Sequence, residues 1–408
     1  MRAVVCGAGI AGLTLAWHLE RAGWDVELVE RAGSFRDGGY MIDFYGPGAE
    51  VAARMGLSER LRELRYEVNE LGYVDGDGRT TSRLTLPPGA YGVTSLLRGD
   101  LARAVADRVR SPVRYGLTVD AVEQGSGGVR VLLSDGTWRD ADLLVGADGV
   151  HSRVRELVFG PRERFVRYLG HHVAAYSLDD EELSRRVGVR YRMLTVPGMM
   201  AGAYALRGGR LAMLFLHREP DPAWPAAPAA ALRERYGHLG WILPRVLPHC
   251  PDPPELYYDQ VSQVEMDAWS RGRVVLLGDA CQAVSLFAGH GASLAMAAAR
   301  VLAEELTGGG PDVPAAAAPG GGPLADVPAA AARYETRMRG PVARVQRFGR
   351  RFVKWMAPPS RGRIAARDWL LRLAALPGAG RLLAGRLGPG GHELFSASPH
   401  APGSWPER

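Results

Sequence analysis

The stretch Arg2-Ala3-Val4-Val5-Cys6-Gly7-Ala8-Gly9-Ile10-Ala11-Gly12 decides the fold. A short β-rich run leads into three glycines spaced Gly-x-Gly-x-x-Gly, and Ala11 to Ala22 continues with helical spacing. Val26 to Val29 is a second apolar strand, so the first thirty residues read as one βαβ unit. The first glycine permits a tight turn. The second leaves room for a pyrophosphate to approach the helix N-terminus, and the third lets helix and strand pack closely. Free N–H groups and the positive end of the helix dipole favour an anion there. Glu30 closes the second strand, 18 residues beyond Gly12. A carboxylate at that place accepts hydrogen bonds from both ribose hydroxyls and repels a 2′-phosphate. The segment therefore reads as a dinucleotide site, without separating FAD from NAD.

Further along, Leu101 to Val109 has helical periodicity, and Val113 to Tyr115, Val119 to Glu123 and Val129 to Leu133 have the pattern of short strands. Asp142 to Val145 and Val274 to Leu277 are buried-strand candidates. Between about Phe165 and Glu265 the pattern changes to alternating segments separated by Gly-Gly and Pro-rich turns, which predicts an antiparallel sheet with one helix at Ala229 to Tyr236. A long helix is expected from Gly291 to Leu306. Residues 308 to 330 are almost entirely Gly, Ala, Pro and Asp, the composition of a flexible segment. Two helical segments follow, Ala329 to Val353 with a break at Pro341, and Ile364 to Leu373.

Two distant segments make the cofactor specific. Leu143-Leu144-Val145-Gly146-Ala147-Asp148-Gly149-Val150-His151-Ser152-Arg153-Val154-Arg155 resembles the "DG" motif of the para-hydroxybenzoate hydroxylase-like, class A FAD-dependent monooxygenases. Gly278-Asp279-Ala280 resembles that family's "GD" motif, and Arg98 matches the arginine that the family sets before a helix, near the FAD diphosphate and ribityl chain. The order and spacing run over about the first 310 residues. The resemblance implies that Gly7, Gly9, Ala11, Gly12, Glu30, Arg31, Arg98, Asp148, Gly278, Asp279, Gly289, Gly291 and Ala292 contact FAD. Asp279 would meet a ribityl hydroxyl, a group that NAD lacks. Asp148 either serves the cofactor or caps a turn and orders Arg153 or Arg155. Backbone N–H groups of Ala288-Gly289-His290-Gly291-Ala292 would face the pyrimidine edge of the isoalloxazine, where negative charge develops on reduction.

The chain also departs from the family. Where relatives read Gly-Asp-Ala-Ala-His-Pro and then a second proline, this chain has Gly278-Asp279-Ala280-Cys281-Gln282-Ala283, with Leu286 at the second proline. Ser293 and Ala298 replace a common asparagine and aspartate. On the substrate side the candidates are Asp43, Tyr191, Met193, Tyr204, Phe215, Leu286 and His290. Asp43 either orients substrate or caps a turn, and His290 is either a proton donor near the flavin or a solvent-facing loop residue. The aromatic and methionine-rich residues either wall an apolar pocket or form ordinary sheet core.

The formal charge of +6 is nearly all scattered arginine, with Lys354 the only lysine, and no basic run interleaved with aromatics suggests nucleic acid. Cys6, Cys250 and Cys281 follow no CxxC pattern and read as buried thiols in a reducing compartment. No metal site is expected, since no His or carboxylate pair has ligand spacing beside a third ligand. Nor is a membrane span, because charge or glycine interrupts every long apolar stretch; the expected location is the cytoplasm.

The expected architecture is α/β: a Rossmann-like FAD-binding domain of the GxGxxG type, an inserted antiparallel β-sheet substrate domain, and C-terminal helices. The FAD-binding domain would comprise residues 1–75, 96–164 and 266–307, and the substrate domain 76–95 and 165–265. A Gly/Ala/Pro-rich segment, 308–330, and a helical region, 331–408, would complete the chain. The resemblance implies an enzyme with one FAD, reduced by transient NADH or NADPH, that forms a flavin C4a-hydroperoxide with O2. It would hydroxylate or epoxidise an aromatic or polyketide-like small molecule in secondary metabolism or drug inactivation. The altered residues from Cys281 to Leu286 keep open an alternative on the same fold, a non-redox cyclase.

Overall fold

The computed structural model describes residues 1–35, 40–85, 93–125, 127–308 and 326–374. Its centre is a six-stranded sheet in the order Ser270–Arg271, Val274–Leu276, Leu143–Gly146, Arg2–Cys6, Asp25–Glu30, Val113–Tyr115. Every neighbouring pair is parallel except the first. Its strands are apolar because both faces are covered, as parallel sheets require: Ala3, Val4, Val5, Leu143, Leu144, Val274 and Val275 are all fully buried. Helices Ile10–Arg21 and Gly291–Thr307 pack together on this sheet. A three-stranded antiparallel sheet of Val119–Gln124, Val129–Leu133 and Trp138–Ala141 adjoins it.

The second large sheet has seven strands in the order Tyr257–Val264, Val166–Asp179, Arg210–Arg218, Met199–Ala205, Arg190–Val196, Glu70–Val74, Thr80–Thr85. It is antiparallel except where Arg190–Val196 runs parallel to Glu70–Val74. Glu70–Val74 thus joins this sheet ahead of the boundary expected at residue 75. The expected single helix is one of three here: Glu181–Val187, Pro228–Tyr236 and Leu243–Val246 cover the outer face. Both faces are buried. Leu183, Leu232 and Tyr236 meet Ala174, Tyr176 and Phe215 on the outer side, while Val173, Met193, Met200, Leu216 and Val261 form the inner side with Phe287, Val353 and Met356.

The helix Val327–Met356 corrects two expectations. It begins within the stretch expected to be flexible, of which 309–325 lies outside the described residues, and it runs unbroken through Pro341. Asp326 caps its start by accepting from Ala329 N–H at 3.2 Å. Pro341 forfeits one intrahelical hydrogen bond, a cost of about 3 kcal/mol. Offsetting this, Tyr334, Met338 and Val345 are fully buried along one face, each worth about 1.5–3 kcal/mol. Of the expected C-terminal region, 375–408 lies outside the described residues, and Arg361–Ala374 is helical. No described helix is long and apolar enough to cross a membrane.

Candidate active site

Several candidate cofactor residues lie at the carboxyl ends of the parallel strands, where open α/β sheets bind ligands. Gly7 follows Arg2–Cys6, Glu30 ends its neighbour, Asp148 follows Leu143–Gly146 and Asp279 follows Val274–Leu276. Gly7 has φ +109°, and a Cβ there would lie 2.3 Å from the Ala147 carbonyl oxygen. At Gly12 a Cβ would come within 2.0 Å of the Gly7 oxygen. The protein's own packing therefore demands both glycines. Gly9 is different. A Cβ there would meet nothing within 4 Å, so the room it leaves is not used by the protein. Gly291 has the same open surroundings. A cradle that protein packing does not explain, flanked by exposed polar groups, fits FAD.

Glu30 accepts from the Ala8 N–H at 3.0 Å and the Ala32 N–H at 2.9 Å, which fixes the carboxylate against the glycine turn. Arg31 follows it, exposed. Ala11 is buried, and its methyl lies 2.7 Å from where a Cβ at Gly278 would project. That close approach, with φ +61° at Gly278, joins the first glycine turn to the turn before Asp279.

Asp148 has a structural role in full view. One carboxylate oxygen accepts from the N–H groups of Arg153 and Val154 at 2.7 and 3.1 Å, and the other from the Ser152 hydroxyl at 2.5 Å. It caps the helix Arg153–Phe159 and orders the Arg153 backbone. Arg155, 1% exposed, instead donates to the carbonyls of Ala280 at 2.8 Å and Val150 at 2.7 Å.

Arg98 and Asp279 are both exposed. The surrounding protein still withdraws enough water to raise the Asp279 pKa; Arg98 opposes the rise and Asp259 adds to it. The Arg98 N–H donates to the Tyr40 carbonyl at 3.1 Å, and the Tyr40 ring lies 5.5 Å from that of Tyr257. Burial pushes the Tyr40 phenol up to about 12, against the opposing pull of Arg98. Tyr40, Tyr257 and Asp259 were not singled out in the sequence; they come from a loop and a strand with no motif.

Leu286–Ala288 is a short 3-10 turn, entered through Ser285 at φ +82° and left through Gly289 at φ +68°. Ala292 lies in the first turn of the helix Gly291–Thr307. His290 is fully buried, which removes the solvent-facing alternative. Its ring lies within 2.7 Å of the Tyr45 hydroxyl, bonds to the Ala288 carbonyl, and packs near Phe348. Burial lowers its pKa, so the ring is neutral at pH 7. Ser293 donates to the Tyr45 carbonyl at 2.5 Å and accepts from the Gly48 N–H at 2.9 Å. Together they stitch the turn after Met41–Phe44 to the start of the helix.

On the inner face of the seven-stranded sheet, Met193 clusters with Leu286 and Phe287, and Tyr191 and Tyr204 stand 5.6 Å apart, ring to ring. Tyr204 accepts from the Met41 N–H at 2.7 Å. Phe215 does not belong with them. It points to the outer face, stacked on Tyr176 at 5.8 Å and edge-on to Tyr236 at 4.9 Å. Alternation along Arg210–Arg218 puts Leu214 and Leu216, not Phe215, on the inner side. Asp43 shares a face of Met41–Phe44 with Met41, which packs, as Tyr191 does, against the cluster of Tyr204, Leu206 and Ala212. It is exposed, accepts from the Ser95 hydroxyl at 2.8 Å, and has its pKa raised by desolvation despite that bond.

Known proteins resemble both the sequence and the fold. The FAD dependent oxidoreductase family model matches residues 2–89. An uncharacterised protein of Mycobacterium tuberculosis is 36% identical over 322 residues, covering 76% of this chain and 86% of its own length. The flavin-dependent monooxygenase eupH of a Phoma species is 30% identical over 350 residues, 75% of this chain and 77% of its own. Among solved structures, the tetracycline destructase Tet(55) superposes with a TM-score of 0.76 at 27% identity, covering 90% of this chain and 94% of that one.

Proposed function

This chain belongs to the flavin-dependent monooxygenases, and from that premise we propose that it hydroxylates or epoxidises an aromatic or polyketide-like small molecule, with NADH or NADPH as transient reductant. The observation that carries the reading is the apolar inner face of the seven-stranded sheet. Met193, Met200, Leu216 and Val261 there pack with Leu286 and Phe287, in the loop that leads into the cradle at Gly289 and Gly291. When bound, FAD would supply the redox chemistry, two-electron transfer and activation of O2. The residues supply place and environment. Gly7, Gly9 and Gly12 would take the pyrophosphate at a helix N-terminus, Glu30 the ribose, and Arg98 and Asp279 the diphosphate and ribityl chain.

The start of the helix Gly291–Thr307 would favour negative charge on the reduced ring. Tyr191, Tyr204 and the methionines would exclude water and hold a flat apolar substrate. Asp43 would accept a hydrogen bond from one of its hydroxyls. The name of Tet(55) supports a polyketide, since tetracyclines are phenolic polyketides.

The test is anaerobic reduction of the FAD-loaded protein by NADH and by NADPH, then admission of oxygen, with a panel of phenolic polyketides that includes a tetracycline. The expected result is substrate-stimulated oxidation of the nicotinamide and a product heavier by one oxygen atom. Turnover with oxidised FAD and no oxygen would replace this reading with the cyclase.

A further inference from the structure

The loop from Ala283 to Gly289 leads directly into the flavin cradle, yet it lacks the prolines that would stiffen it. Its conformation is costly to hold: Ser285, a residue with a side chain, sits at φ +82°. Something outside the loop must therefore hold it in place. The helix Val327–Met356 runs along its back, holding the chain just before the loop at one level and the loop itself at two more. Near the helix start, the Tyr334 hydroxyl accepts from the Gln282 amide at 2.5 Å and donates to the Leu276 carbonyl at 3.2 Å.

At the middle level, two buried glutamines interlock. Gln346 donates its side-chain amide to the carbonyls of Ala283 at 3.2 Å and Val264 at 2.8 Å. Gln263, fully buried, donates to the carbonyls of Val284 at 3.0 Å and Gln346 at 2.8 Å. Arg350 fixes the orientation of the Gln263 amide by donating to its oxygen at 2.7 Å, and pairs with Glu265 at 3.0 Å. At the third level Gly349 abuts the loop, where a Cβ would lie 2.5 Å from the Val284 oxygen.

We propose that Gln346 and Gln263 are positioning residues that clamp the Ala283–Gly289 loop and thereby set the shape and affinity of the flavin site. They use two carbonyls of adjacent loop residues as handles, and Ala283 is one of the positions where relatives carry proline. Buried amides with several partners tolerate little slack, because each lost bond leaves a buried polar group short of a partner away from water; the Ala283 carbonyl would keep the Val264 N–H at 3.2 Å. The clamp acts on the FAD pocket from behind, through the loop backbone. It rests on FAD binding and not on the identity of the substrate.

The test compares Gln346→Leu, Gly349→Ala and the milder Arg350→Gln with Arg347→Gln, an exposed change on the same helix. The readouts are FAD dissociation constant, visible circular dichroism of the bound flavin, and flavin reduction potential, none of which needs turnover. Gln346→Leu and Gly349→Ala are expected to raise the FAD dissociation constant about tenfold and to alter the flavin dichroism. Arg350→Gln is expected to change both in the same direction by about threefold, and Arg347→Gln to change neither. A lowered melting temperature with wild-type FAD affinity, dichroism and potential in the first three would overturn the proposal. Should Gln346→Leu fail to fold, the other two decide by the same readouts.

Discussion

The guanidinium of Arg155 donates to the carbonyl of Ala280 at 2.8 Å, tying the turn after one central strand to the turn after its neighbour. The same side chain holds Val150, so one buried cation joins the Asp148 and Asp279 segments of the cofactor site. Arg155→Met is expected to leave two carbonyls unpaired and to cost about 3 kcal/mol in stability. Arg155→Lys should recover part of this loss. Urea unfolding of the three proteins checks the order, and equal midpoints would show that the bridge is dispensable.

Two glycines of one turn should separate folding from cofactor binding. Gly9→Ala is expected to leave the apoprotein stability within about 0.5 kcal/mol of wild type, because a methyl there touches nothing. Its FAD affinity should fall. Gly12→Ala should instead unfold or severely destabilise the protein, since the methyl would collide with the Gly7 oxygen. Thermal melts with and without FAD distinguish the two; a Gly9→Ala protein with undiminished FAD affinity would contradict the pyrophosphate assignment.

Asp43→Asn tests the substrate side alone. The carboxylate is held by Ser95 and lies on the strand face that packs toward the cluster of Tyr204, Leu206 and Ala212. FAD affinity should remain that of wild type, while the KM for an active phenolic substrate rises about tenfold. A change in FAD affinity with unchanged KM would place Asp43 with the cofactor instead.

Stability should fall with acid through buried histidines. His217, 2% exposed, has its pKa pushed down from 6.5 to about 3, by burial first and then by Arg235 and two neighbouring histidines. His18 is likewise lowered to about 4, by burial and then Arg300. Because the unfolded chain binds these protons first, stability is lost as pH drops below about 6.5 and continues to fall toward the folded values. His217→Gln should lessen the difference in melting temperature between pH 7.5 and pH 5. An unchanged difference would assign the acid sensitivity to other groups.

How much was legible depended on whether a local rule carried the information. Gly7, Gly12 and Gly278 were readable because tight turns and close approaches leave few residue choices, and the order of motifs then pointed to a Rossmann-like domain built from separated segments, without its strand order. Phe215 was not, because both faces of its strand are apolar and alternation alone does not say which face meets the site. Proline at 341 signals a break locally, but Tyr334, Met338 and Val345 hold the helix together through packing invisible in that window. His290 went unrecognised as a buried anchor because its partner Tyr45 lies 245 positions away. The clamp at Gln263 and Gln346 likewise joins residues 83 positions apart.

The sheet order bears on how the protein is made. Arg2–Cys6 lies in the interior of its sheet beside Leu143–Gly146, a strand synthesised well over a hundred residues later, and that strand in turn awaits Val274–Leu276. The backing of the loop at Ala283 is not complete until Gln346 has been synthesised. Until Val274–Leu276 has been made, the nascent chain therefore exposes apolar strands with unpaired edges, and such non-local pairing is slow and prone to aggregation. The residues of the flavin cradle run from Gly7 to Gly291, so the cradle is complete only once residue 291 has been made, and added riboflavin during expression is expected to raise the yield of soluble protein.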